Sequence, residues 1–142
     1  EIGYKYQMTD LGAAILLDAL KEFSKIKKHR KKIFSIYEKN LKNNKKVKVV
    51  NSAGKFTHSN WLFTILVDKK DLLQKKLRQS NIETNQVHFR NDRYSIFKKF
   101  VKNKKFPNMD SVEKKYLVLP VHTKMSFSDA NYVVKKVNLF LK

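Results

Sequence analysis

LGAAILLDALKEFSKIKKHRKKIFSIYEKNL, residues 11–41, governs how the rest of this chain is read. Its apolar positions Leu11, Ile15, Leu16, Leu20, Phe23, Ile26, Ile33, Phe34, Tyr37 and Leu41 recur mostly in steps of three and four, which line them along one side of a helix. The spacing predicts one amphipathic helix of about 30 residues. Thr9 offers an N-cap oxygen and Asp10 a first-turn carboxylate, and Asn43-Asn44 closes the run. A helix of this length suggests an element that passes between domains. Ahead of it, residues 1–8 (EIGYKYQM) are aromatic-rich and turn around Gly3.

Downstream the pattern changes. Val47 to Val50 reads as a short strand, and residues 52–59 as a loop containing Gly54. Trp61 to Val67 (WLFTILV) has the strongest strand character, from its β-branched and aromatic residues. Asp68 is expected to cap a helix over 69–79 carrying Leu72, Leu73 and Leu77. Ile82 to Phe89 reads as a further strand. Residues 90–109 read as irregular or briefly helical, anchored by Phe97, Phe100 and Phe106. Tyr116 to Leu119 reads as a strand stopped by Pro120. Ser126 and Asp129 form a capping-box variant that opens a last helix with Ala130, Val133, Val134, Val137 and Leu141 on one face. Helices and strands mix without strict βαβ alternation, so the fold class is α+β: a long N-terminal helix, then a small antiparallel or mixed sheet with flanking helices.

With 142 residues the chain is one domain's worth, and 42% hydrophobic residues suffice for a core. The absence of cysteine excludes a disulfide scaffold, cysteine-based zinc sites and a thiol nucleophile. No apolar run approaches the ~20 residues of a membrane span, and no signal peptide is seen. A start at Glu1 suggests a fragment of a larger cytoplasmic protein. The net charge of +20 invites a nucleic-acid partner. Its make-up argues otherwise: the arginines are only Arg30, Arg78, Arg90 and Arg93, and the lysines are scattered from Lys5 to Lys142. Specific phosphate and base contacts lean on guanidinium forks. The histidines His29, His58, His88 and His122 form no local metal pair, and the three glycines are too far apart for a phosphate loop. One stretch concentrates chemistry, His88-Phe89-Arg90-Asn91-Asp92-Arg93-Tyr94, directly after a predicted strand, where binding groups tend to sit.

Four collinear stretches resemble the DegT/DnrJ/StrS family of pyridoxal-phosphate-dependent sugar aminotransferases, of the fold-type-I class. Gly3-Tyr4-Lys5-Tyr6-Gln7-Met8-Thr9-Asp10-Leu11, followed by Ala13-Ala14-Ile15, is similar to its GYNYRMTDLQAAIG segment. Ser59 to Val67 is similar to its S-x-W-L-F/Y-T-I strand. Ile82 to Phe97 is similar to its VH-x-RND branch, and Leu117 to His122 with the last helix to its LPLH ending. The resemblance covers essentially the whole chain.

That resemblance implies a C-terminal fragment. Residues 1–43 would be an interface segment and connecting helix, and 44–142 the small domain. A large domain with the Schiff-base lysine would lie before Glu1, so no lysine here takes that role and the fragment alone would be inactive. The implied cofactor is pyridoxal 5′-phosphate, bound mainly by that large domain. Tyr4, Lys5, Tyr6 and Gln7 would reach the cofactor phosphate of the neighbouring subunit in a homodimer, Lys5 and Gln7 standing where the family has Asn and Arg or Lys. His88, Arg90 and Asp92 would face the substrate, a nucleotide-linked keto sugar, with Arg90 suited to a diphosphate and glutamate as amino donor. No metal and no membrane partner is expected. The alternatives are a basic nucleic-acid-binding domain and a non-catalytic dimerisation remnant.

Overall fold

The computed structural model describes residues 6–50 and 58–142. Its first element is helix α1, Asp10–Leu41, 32 residues long. Thr9 is extended (φ −81°, ψ 154°) and its hydroxyl accepts the Gly12 N–H at 3.1 Å, so the expected cap forms. The helix stops where expected, because Asn44 takes over its last carbonyl: Asn44 N–H donates to Leu41 O at 3.0 Å. Asn44 Nδ2 also donates to Asn138 Oδ1 at 2.9 Å. Only the far half of α1 is buried, through Ile33, Phe34, Tyr37 and Leu41. On the near half, the large apolar residues from Leu11 to Phe23 are 47% to 73% exposed.

Among the described residues three short strands follow, β1 (Lys48–Val49), β2 (Phe63–Leu66) and β3 (Tyr116–Leu119), in the order β1-β2-β3 and antiparallel throughout. Phe63 pairs with Leu119 and Ile65 with Leu117. The two-residue period of a strand sends all four to one face, where all are buried. Against that face lie α1 and the last helix, α5 (Phe127–Phe140). Phe63 meets Phe34 edge-on at 5.1 Å and Tyr37 at 4.9 Å. The buried Tyr37 hydroxyl donates to Pro120 O at 2.8 Å, and burial, aided by Asp129, pushes its pKa well above the usual phenol value.

The cap of α5 is the reciprocal one its sequence proposes. Ser126 Oγ accepts from Asp129 N–H, and the Asp129 carboxylate accepts from Ser126 N–H at 2.8 Å and Oγ–H at 2.7 Å. Ala130, Val133, Val134 and Val137 are buried on one face. Helix α2 (Lys70–Gln79) buries Leu73 and Leu77. It ends on Asn81 at φ 58°, with Ile82 N–H returning to Leu77 O at 2.9 Å. That is a left-handed helix terminus, a conformation asparagine tolerates better than most residues.

Three sequence expectations change. Asp68 does not cap α2: Lys69 is its N-cap, with no side-chain bond. The Asp68 carboxylate instead meets Lys115 Nζ at 2.7 Å, and that hydrogen bond holds it below the usual carboxylate range. Residues 82–89 form no full strand. They contribute one bridge, Asn85 to Val118, because from Gln86 onward their polar groups turn to side chains rather than to a ladder. Phe97 and Phe100 are not core anchors; they stay 41% and 59% exposed on the segment 90–113. That segment holds two 3-10 turns (Asn91–Arg93, Ser95–Phe97), α3 (Lys98–Val101) and α4 (Pro107–Glu113).

Three outcomes are expected. Ser126→Ala should cost about 1 kcal/mol in urea unfolding, the usual value of a lost N-cap, and Ile33→Ala about 2–5 kcal/mol, as for a large core side chain. The exposed apolar half of α1 should make the chain self-associate; a monodisperse monomer in light scattering would contradict that.

Candidate functional site

The second face of the sheet carries Thr64, Leu66, Tyr116 and Val118. It is walled by the segment from Gln86 to Glu113, leaving a groove of about 1090 Å³. Aromatic and aliphatic side chains dominate the walls, among them Phe89, Tyr94, Phe97 and Met109. His88 sits at its edge. Its N–H donates to Tyr116 Oη at 3.1 Å, and the Tyr116 hydroxyl lies 3.3 Å from His88 O. The imidazole stands 6.1 Å from the Trp61 ring at 65°, and Trp61 is itself 56% exposed. Phe89 and Tyr94 meet edge-on at 5.0 Å. Lys70 Nζ ties the start of the wall to its end, donating to Gln86 Oε1 and to Glu113 O, each at 3.2 Å.

Arg90 is placed differently from its neighbours. Its side chain is 4% exposed. Nε and Nη2 donate to the two oxygens of Asp92, at 2.9 and 2.8 Å. Nη1 donates to Asp110 and, at 3.4 Å, to Glu113 Oε2. Glu113 also accepts from Arg93 Nη2 at 2.5 Å. The hydrogen bonds that Arg90 donates to Asp92 and then to Asp110 raise its pKa further, while Arg90 holds the Asp92 carboxyl below its ordinary range. The fork that sequence reading offers to a diphosphate is thus taken up within the chain.

The sequence-selected residues fall into separate places. His88, Arg90 and Asp92 come together at the groove. Tyr4 and Lys5 lie outside the described residues. Tyr6 and Gln7 precede the α1 cap, are exposed, and do not line the groove. Trp61, Asp110, Glu113 and Tyr116 were not singled out as site residues. Asp110 and Glu113 carried one signal: in a chain of only 12 acidic residues, they stand three apart behind Pro107, on one side of a helix turn. The remaining histidines have other partners. His29 Nε2 is bonded to Met125 O at 2.9 Å and stacks on Phe127, and His58 Nδ1 accepts from Asn60 N–H at 2.8 Å. A second groove of about 670 Å³ includes His122, Arg30 and Thr84; Arg30 Nε and Thr84 Oγ1 are buried there and find no hydrogen-bond partner among the described residues. Among the described residues no group of three or more acidic or histidine side chains is arranged for a metal, and no helix is long and apolar enough to cross a membrane.

The model of the DegT/DnrJ/EryC1/StrS aminotransferase family matches residues 1–138. The UDP-4-amino-4,6-dideoxy-N-acetyl-beta-L-altrosamine transaminase of Campylobacter jejuni is 27% identical over 139 residues, covering 94% of this chain and 37% of that protein. The GDP-perosamine synthase of Escherichia coli O157:H7 is 27% identical over 142 residues, covering 98% and 38%. A crystal structure of a sugar aminotransferase from Micromonospora echinospora has the same fold over 96% of this chain and 37% of its own, with a TM-score of 0.88 at 22% identity. The chain therefore spans little more than a third of the length of these relatives.

Removing the guanidinium tests the carboxylate cluster directly. Asp92, depressed by Arg90, contributes stability that is present above the unfolded carboxyl pKa of about 4 and is lost as pH falls through the lower folded value. Arg90→Ala should return the Asp92 carboxyl to the ordinary range in an NMR pH titration. It should also lower the thermal midpoint more than Arg93→Ala does.

Proposed function

Since the chain belongs to the DegT/DnrJ/EryC1/StrS aminotransferase family, we propose that the whole protein moves an amino group from glutamate onto the keto carbon of a nucleotide-linked sugar. The observation that carries this reading is the groove at residues 86–113, built from the stretch whose VH-x-RND pattern resembles the family. In this reading 44–142 is the small domain of the enzyme and residues 1–43 connect it to a large cofactor-binding domain outside this chain, in a homodimer.

Within the groove, His88 presents an exposed imidazole able to donate to or accept from a sugar hydroxyl. Trp61 and the Phe89–Tyr94 pair offer aromatic faces to a nucleobase. Asp92 orients Arg90, and the backbone around His88 is held by Tyr116.

Pyridoxal 5′-phosphate, when bound, supplies the electron sink for the C–N chemistry. The described residues partly fit such a group. At the head of α1, Tyr6 is 87% exposed and Gln7 is exposed. A phenol and an amide donor there, with Lys5 and Tyr4 adjacent in sequence, suit one edge of a phosphate belonging to a neighbouring subunit. Neither residue lines either groove; in this reading the ring and its chemistry belong with the large domain. The chain's own part is to bind and orient the sugar nucleotide and to exclude water from it.

The test uses Trp61, the single tryptophan, as an internal probe. Titrating the chain with a UDP-sugar or a GDP-sugar should give a saturable change in its fluorescence, and His88→Ala should weaken the apparent affinity about tenfold. No response to either nucleotide sugar at millimolar concentration would sink the reading of this groove.

A further inference from the structure

Between Thr84 and Leu117, Arg90 is the only buried residue. Neither 3-10 turn and neither short helix of that stretch buries a side chain. The groove wall is therefore not held by the usual means, a row of apolar residues sunk into a core. Its sunken residue is a cation, and a buried cation persists only when paired.

From this placement we propose that Arg90 is a positioning residue: it acts as an ionic latch that pins α4 to the turn after His88 and thereby sets where the His88 imidazole stands relative to Trp61. This rests on the reading of the groove as the substrate site. Four of the five guanidinium N–H groups are spent on carboxylates. Nε and one Nη2 hydrogen fix the plane of the fork on Asp92, two residues along the same turn. The Nη1 hydrogens reach Asp110 and Glu113, on the facing side of α4. Glu113 then closes the latch from both ends, because its carboxylate also holds Arg93 and its carbonyl accepts from Lys70 on α2. Two guanidiniums face three carboxylates, so the donors of Arg90 are engaged within the chain. Lysine could keep the charge of Arg90 but not the fork that joins two elements.

The experiment reads the His88–Trp61 pair without any ligand. A protonated imidazole quenches a nearby indole, so Trp61 emission should fall as pH drops from 8 to 5. His58 lies three residues before Trp61, so His88→Gln identifies the share of the fall owed to His88. The groups facing His88 and the latch are Tyr116, Asp92, Asp110, Glu113, Arg93 and Lys70. Arg90→Lys should abolish at least half of the His88-dependent fall and speed amide hydrogen exchange over residues 86–113 about tenfold. Glu113→Gln, a milder change that leaves Asp92 on Arg90, should do so in part. Ser126→Ala, which loosens α5 instead, should leave both signals as in the parent chain. A full His88-dependent fall in a folded Arg90→Lys chain, with unchanged exchange over 86–113, overturns the proposal. So does a fall that His88→Gln leaves untouched. Failure of nucleotide-sugar binding would count against the functional reading alone, since neither latch signal depends on a ligand.

Discussion

Everything in this fold hangs on the burial of the end of α1, from Ile33 to Leu41, against one face of a three-stranded sheet. Ile33, Tyr37 and Leu41 are fully enclosed, and the Phe63 ring on the central strand is wedged between Phe34 and Tyr37. The Tyr37 hydroxyl closes the arrangement by bonding to Pro120 O, 83 residues away. A phenol buried this deeply must find a partner, and the one it finds is the carbonyl where β3 ends. That contact fixes the start of the loop leading to α5, whose Val133 and Val137 complete the same core. Helix, central strand and last helix thus share one apolar layer.

The opposite face of the sheet obeys a different rule. Its floor is half-apolar, but its wall contributes exposed aromatics and one buried guanidinium. Hydrophobic burial is non-directional and cooperative over a whole layer. An ionic cluster is directional and local, and its strength depends on every partner being present. A wall held by such a cluster can be stiff at one point and open elsewhere, which suits a surface that meets a ligand. The lysine-rich exterior matters little to this geometry, since exposed pairs such as Lys21–Asp18 are worth little.

The near half of α1 is the other unfinished surface. Its apolar residues from Leu11 to Phe23 carry the periodicity of a buried helix face yet stand in solvent. The relatives are nearly three times as long as the stretch they share with this chain. The pattern promises burial along the whole helix, and the described residues supply it for only half.

Much of the architecture was legible in local sequence because it rests on local physics. The Thr9 cap, the Ser126–Asp129 box, the reach of α1 and α5, and the strand Tyr116–Leu119 all depend on residues within about a turn of one another or on a simple apolar period. The α+β class followed from those elements, and the family resemblance from four stretches in order. What only the tertiary structure decided depends on partners far away in the chain. Asp68 was free to cap α2 until the fold brought Lys115 to it. Residues 82–89 have strand composition, but the fold supplies a single bridge at Asn85 and then side-chain partners. The family resemblance offered the Arg90 fork to a diphosphate; folding set Asp110 and Glu113, 20 and 23 residues away, against its remaining donors. Periodicity and caps are read from neighbours along the chain, whereas the use of a charge depends on which opposite charges the fold brings within reach.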